Sequence, residues 1–233
     1  MQPEIIYTLL FIAPLIGGVL GFILKHKAES FVKLFLSFSG AFLFSLIAIH
    51  LLPEVFAQTK NAGVYIVIGF FIQIILEQLS HGVEHGHFHM HHHSHNYVFS
   101  LIIGLSLHSL FDGIPLSNQM LSHTNESIIY GVSLHKIPEG FALVTVLLYS
   151  GFKRNSSIIF LFLFCCIAPL AVFSLNSFTL NSDTFHILVA VAVGSFLHVS
   201  TTILFESEKG THKFSFQKII SILAGVGLSL LSL

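Results

Sequence analysis

Eight stretches of the chain are each about as long as a bilayer is thick, and they leave little else to assign: Ile5–Leu24, Phe31–Leu52, Val64–Leu79, Tyr97–Leu116, Ile128–Tyr149, Ser156–Leu175, Phe185–Phe205 and Phe216–Leu233. A helix needs about 20 mostly apolar residues to cross the hydrocarbon core. Only 9% of the residues are charged, where a soluble domain carries about 25%. So few charges cannot cover a soluble surface, which excludes a soluble globular protein, a disordered chain and a nucleic-acid binder with a basic face. The first stretch has no small-residue cleavage pattern and contains Pro14 and Gly17-Gly18, so it reads as a span and not a signal peptide. Cys165 and Cys166 are adjacent inside an apolar run and read as buried helix filling, with no disulfide framework. The chain, residues 1–233, reads as one all-α membrane domain with eight transmembrane helices.

Cations set the orientation, because Lys and Arg are retained on the cytoplasmic side. Lys25, Lys27, Lys33, Lys153, Arg154, Lys209, Lys213 and Lys218 flank alternate loops on one side, against Lys60 alone on the other. Both termini are then expected outside a cell (inner or plasma) membrane, with the loop after span 3 in the cytoplasm. A weak repeat accompanies this. Ile12-Ala13-Pro14-Leu15 recurs as Ile167-Ala168-Pro169-Leu170 at an offset of 155, and Gly40-Ala41-Phe42-Leu43 resembles Gly194-Ser195-Phe196-Leu197 at 154. The copies are five spans apart, so they cross the membrane in opposite directions. Inverted repeats mark secondary transporters with a midplane site. Spans 1–3 and 6–8 would be the copies, and spans 4–5 the centre.

The costly residues lie in that centre. Span 4 reads His108-Ser109-Leu110-Phe111-Asp112-Gly113-Ile114-Pro115, and span 5 His135-Lys136-Ile137-Pro138-Glu139-Gly140. A charge at mid-bilayer costs roughly 2.5–3.5 kcal/mol on insertion scales, so Asp112, Lys136 and Glu139 need partners or water. His108 and Asp112 share a helix face, as do His135 and Glu139. Two facing helices would present two imidazoles and two carboxylates, a four-ligand set for a divalent metal. The simpler reading is a His–carboxylate network that ties the helices together. Pro115 and Pro138 should kink their helices and free the carbonyls of Phe111 and Leu134.

These motifs resemble those of the Zrt/Irt-like, or ZIP, family of metal transporters. The resemblance rests on His-Ser-x-x-Asp-Gly in span 4 and His-x-x-Pro-Glu-Gly in span 5. It extends to eight spans, a histidine-rich loop after span 3, and His50-Leu51-Leu52-Pro53-Glu54 ending span 2. It implies a 3+2+3 helix bundle that moves zinc, iron, manganese or related divalent cations towards the cytoplasm, with His108, Asp112, His135 and Glu139 at the principal transport site. Some family members hold a second metal on three further ligands. Ser109, Lys136 and Ala168 stand at those positions here, which implies a single-metal site in which the Lys136 ammonium takes the place of the second ion. A plain salt bridge to Asp112 or Glu139 is the alternative for Lys136.

Outside the centre, His50 reads as a further ligand or as an interfacial histidine. Glu77 reads as a carboxylate near the helix end, His198 as a packed histidine and His186 as a cap neighbour. Residues 81–96 form the histidine-rich loop, where His81, His85, His87, His89, His91, His92, His93 and His95 offer a weak site for borderline metals. Within it, His81-Gly82-Val83-Glu84-His85 matches the inverted zinc-protease pattern. An intramembrane zinc hydrolase using the four central ligands is thus the competing function; the inverted repeat, broken helices and histidine loop favour a carrier and not an enzyme. The expected cargo is Zn²⁺, with Fe²⁺, Mn²⁺ and Cd²⁺ also suited to the mixed N/O set. No resident cofactor and no nucleic-acid partner are expected; the bilayer is the environment, and a homodimer is left open.

Overall fold

The computed structural model describes residues 2–24, 29–82, 95–117, 127–178, 180–205 and 215–231. Every regular element among these is helical. The first is α1 (Pro3–Leu24). Next, α2 runs as Glu29–Leu46, widens into a π turn at Ile47–Leu51 and continues as Leu52–Gln58. Then follow α3 (Ala62–Ser80), α4 (His95–Gly113), α5 (Ser127–Tyr149), α6 (Arg154–Ser177), α7 (Ser182–Phe205) and α8 (Phe216–Leu230). Helices α1 to α7 are long and apolar enough to cross a membrane. At 15 residues, α8 is about 22 Å long, short of the roughly 30 Å hydrocarbon core. With its succession of apolar helices, the chain is a multi-pass α-helical membrane protein.

Burial separates centre from periphery. The apolar window of α5 is 83% buried, against 22% for α3 and 28% for α6. The outer helices instead expose Val67, Phe71 and Ile75 on α3, and Ile159, Phe162 and Phe173 on α6. Exposed apolar area on that scale is what lipid would cover.

The inverted repeat is visible in the packing. Helix α3 lies along α7, and α8 along α2; exchanging spans 1–3 with 6–8 turns one contact into the other. A Cβ built on Gly69 would lie 1.9 Å from the Val191 carbonyl oxygen, and one on Gly225 would lie 2.4 Å from that of Phe38. The two glycines are 156 positions apart and the two carbonyls 153, close to the sequence offset. Small residues let helix backbones touch where no hydrophobic force drives them together.

The same device seats α5 against α1. Gly17 faces the Ile137 carbonyl and Gly140 faces that of Pro14, with built Cβ distances of 1.8 and 1.9 Å. Gly140 thus follows Glu139 because α1 leaves no room for a side chain there. Pro138 sits inside one unbroken α5. Pro115 differs from expectation, since it does not kink a continuing span. The α-helix hands over at Gly113 to a 3₁₀ turn, Ile114–Leu116, and Ser117 is extended. Proline has no N–H to bond the Phe111 carbonyl and cannot continue an α-helix, so it falls where the helix ends.

Candidate metal centre

The His-x-x-x-carboxylate spacing acts as the helical period requires: α4 points His108 and Asp112 at α5, and α5 points His135 and Glu139 back. All four are buried, at 0–1% exposure. His108 Nε2 and His135 Nε2 each lie 3.4 Å from Glu139 Oε1, and His108 Nε2 lies 3.5 Å from Asp112 Oδ1. Their geometry is not that of hydrogen bonds. Among the described residues Asp112 Oδ1, Glu139 Oε1 and both His135 nitrogens have no hydrogen-bond partner. Buried polar atoms are normally satisfied, so so many left over at one point is an unusual cost. Two ligands of a tetrahedral ion, each bonded at about 2.1 Å, stand about 3.4 Å apart. The spacing therefore suits atoms that share an ion. His108, His135 and Glu139 form the compact group, with ligand atoms all within 4.8 Å of one another; Asp112 adjoins it through His108.

Lys136 organises the other half of the centre. Its Nζ donates to Asp112 Oδ2 at 2.6 Å, Ser109 Oγ at 2.9 Å and Glu139 Oε2 at 3.2 Å, and lies 5.6 Å from the Phe164 ring centroid. Each carboxylate is thereby divided: one oxygen faces the ammonium and the other faces the imidazoles. With neutral imidazoles, two carboxylates and one ammonium leave a single negative charge, which a divalent cation would turn into a single positive one. The salt bridge weighed in the sequence was to Asp112 or Glu139; Lys136 contacts both acids.

It did not single out Gln73. This α3 side chain is wholly buried; its Oε1 stands 3.2 Å from His108 Nδ1 and accepts from Ser195 Oγ at 2.7 Å. The available signal was a neutral amide in mid-span, whose partners lie 35 and 122 residues away. Glu77 and His198, expected to be separate, are joined at 2.6 Å between Oε2 and Nε2, with the His198 ring edge-on to Phe70.

None of the remaining candidates among the described residues joins the compact ligand group. His50 sits in the π turn of α2, and its Nε2 is buried without a hydrogen-bond partner among the described residues. His81 is in left-handed conformation after α3, its ring stacked on Tyr97 at 4.1 Å. His186 pairs with Ser182 in the first turn of α7, as a cap neighbour would. His85, His87, His89, His91, His92 and His93, and with them the zinc-protease pattern from Val83 onward, lie outside the described residues, as does the His95 side chain.

Fold and centre together define a helical membrane protein with a buried imidazole–carboxylate cluster between its two central helices. Residues 96–232 match the sequence profile of the family described as ZIP Zinc transporter. That is more than half the chain, and the protein belongs to the ZIP zinc transporter family. It is similar to zinc transporter ZIP9 of Micropogonias undulatus, at 30% identity over 151 residues, 60% of this chain and 49% of the relative. Zinc transporter ZIP9-B of Xenopus laevis is 30% identical over 112 residues, 46% of this chain and 37% of its own length. Protein zntC of Dictyostelium discoideum is 26% identical over 139 residues, 57% of this chain and 34% of its own. The chain thus spans half or less of the length of each of these curated relatives.

Proposed function

We propose that the protein carries a divalent metal cation, zinc foremost, into the cytoplasm through a single-ion site between α4 and α5. His108, His135 and Glu139 bind the ion with Asp112 beside them, while Lys136 holds the second oxygen of each acid and occupies the position of a second ion. The observation that carries this reading is a set of buried ligand atoms at the edge length of a tetrahedral ion, 3.4–3.5 Å, of which Asp112 Oδ1, Glu139 Oε1 and His135 Nε2 have no hydrogen-bond partner among the described residues. Family membership and the relatives named as zinc transporters support the cargo. The distribution of cations supports the orientation, with both termini outside, and the resemblance to the ZIP family supports the inward direction. Ligand chemistry admits Fe²⁺, Mn²⁺ and Cd²⁺ as well, so selectivity is read from a radiotracer competition panel in proteoliposomes. Zinc uptake should be suppressed by excess Cd²⁺ or Fe²⁺ and untouched by Ca²⁺ or Mg²⁺, which favour all-oxygen sites. Suppression by Ca²⁺ or Mg²⁺ alone would overturn the mixed N/O site.

A further inference from the structure

We propose that Gln73 is a positioning residue that decides which nitrogen of His108 faces the ion, and so sets the affinity of the centre. The inference deepens the metal-site reading above and rests on it.

A neutral imidazole has one N–H and one lone pair, and their placement follows the hydrogen bond made by the nitrogen turned away from the ligand side. His108 Nε2 is the nitrogen that faces Glu139 and Asp112, at 3.4 and 3.5 Å. His108 Nδ1 faces Gln73 Oε1 at 3.2 Å. An amide oxygen cannot donate, so a hydrogen bond there requires the proton on Nδ1. The Nε2 lone pair is then free to coordinate. With the amide turned around, its NH₂ would donate to Nδ1, and the ring proton would point from Nε2 at the ion position, which forbids ligation. Ser195 Oγ donates to the same Oε1 at 2.7 Å, so with the proton on Nδ1 the oxygen would be held by two donors from two helices.

The register of α3 on α7 explains why Gln73 is in reach. Gly69 lies against Val191, and four residues on in both helices Gln73 meets Ser195. A further turn on, Glu77 meets His198. The close contact at Gly69 holds this seam together, so the oxygen is presented to α4 by a stiff helix pair. Gln73 is also neutral. Partners of metal-bound imidazoles are often carboxylates, which raise ligand basicity; an amide orients the ring without that increase, which suits an ion that must leave again.

The test uses the purified full chain, with Zn²⁺ affinity from competition titration and KM and Vmax from uptake into proteoliposomes. Gln73→Met keeps volume and removes the acceptor; it should weaken zinc binding 10–100-fold, the usual cost of losing such a partner, and raise KM. Gln73→Glu restores the acceptor and should bind at least as tightly as wild type, with a lower Vmax because release slows. Simple packing at Gln73 predicts the reverse order, with Met tolerated and a buried Glu disruptive, and that order overturns the proposal. The wild-type protein supplies a measurement independent of variant folding. A ¹⁵N-histidine spectrum, with His108 assigned by difference from His108→Gln, should show the Nδ1–H tautomer, and an Nε2–H signal overturns the proposal. His108→Ala separates the two levels. If it loses zinc binding while Gln73→Met keeps wild-type affinity, only the role of Gln73 falls; if it binds zinc as wild type does, the metal-site reading falls too.

Discussion

Lys136 is the residue on which the electrostatics of the centre turns. Its ammonium is the cation held between Asp112 and Glu139, all three at 0–1% exposure. Removing one member of a buried ion pair costs about 3–5 kcal/mol, because the other is left charged and unpaired. Lys136→Met should therefore lower the thermal unfolding midpoint in metal-free detergent solution, and saturating Zn²⁺ should recover part of the loss. An unchanged midpoint without metal would contradict the ion-pair role. The same arrangement predicts one tightly bound ion per chain by equilibrium dialysis; two tight equivalents in the wild-type protein would contradict the idea that Lys136 fills the second position. These residues were legible in the sequence because charge is so scarce in the spans that Asp112, Lys136 and Glu139 stand out. Gln73 was not legible. Uncharged, it draws little attention, and its meaning depends on α3 lying beside both α4 and α7. The pairing of Glu77 with His198 escaped for the same reason: each looks ordinary until the other, 121 residues away, is placed next to it.

At the scale of elements, what determines the assembly is how closely helices approach at glycine. Gly17, Gly69 and Gly194 each face backbone at 1.8–2.0 Å from a built Cβ, and backbone cannot swing aside as a side chain can. Gly69→Ala or Gly194→Ala should push α3 from α7 and lower the unfolding midpoint sharply. Gly63→Ala and Gly227→Ala, where a Cβ meets nothing within 4 Å, should stabilise by about 0.5–1 kcal/mol through helix propensity. Equal effects at all four positions, read from thermal unfolding in detergent, would contradict the seam. The spans themselves were legible because apolar length is a property of the segment alone. Details that depend on neighbours were not. The π turn at Ile47–Leu51 has no simple signature in sequence, and Pro115 looked like a kink until the chain was seen to leave the helix right after it.

For the whole molecule, the inverted repeat explains why two surrounding triplets hold a central pair. Weak four-residue matches at offsets of 154 and 155 pointed to it, and the contacts of α3 with α7 and of α8 with α2 give it a physical form. On the proposed carrier reading, one part would move against another around a fixed site. Deleting residues 83–94 should leave zinc uptake in place while changing its regulation or the rate of exit; abolished uptake would make the segment part of the pathway itself. The central claim is that His135 and Glu139 hold the transported ion, and radiotracer zinc flux into proteoliposomes tests it most directly. Wild-type protein should admit zinc with no other substrate present, and His135→Ala and Glu139→Ala, folded by thermal unfolding, should show only the background of empty vesicles. Wild-type rates in both variants, or no flux with the wild-type chain, would contradict the account.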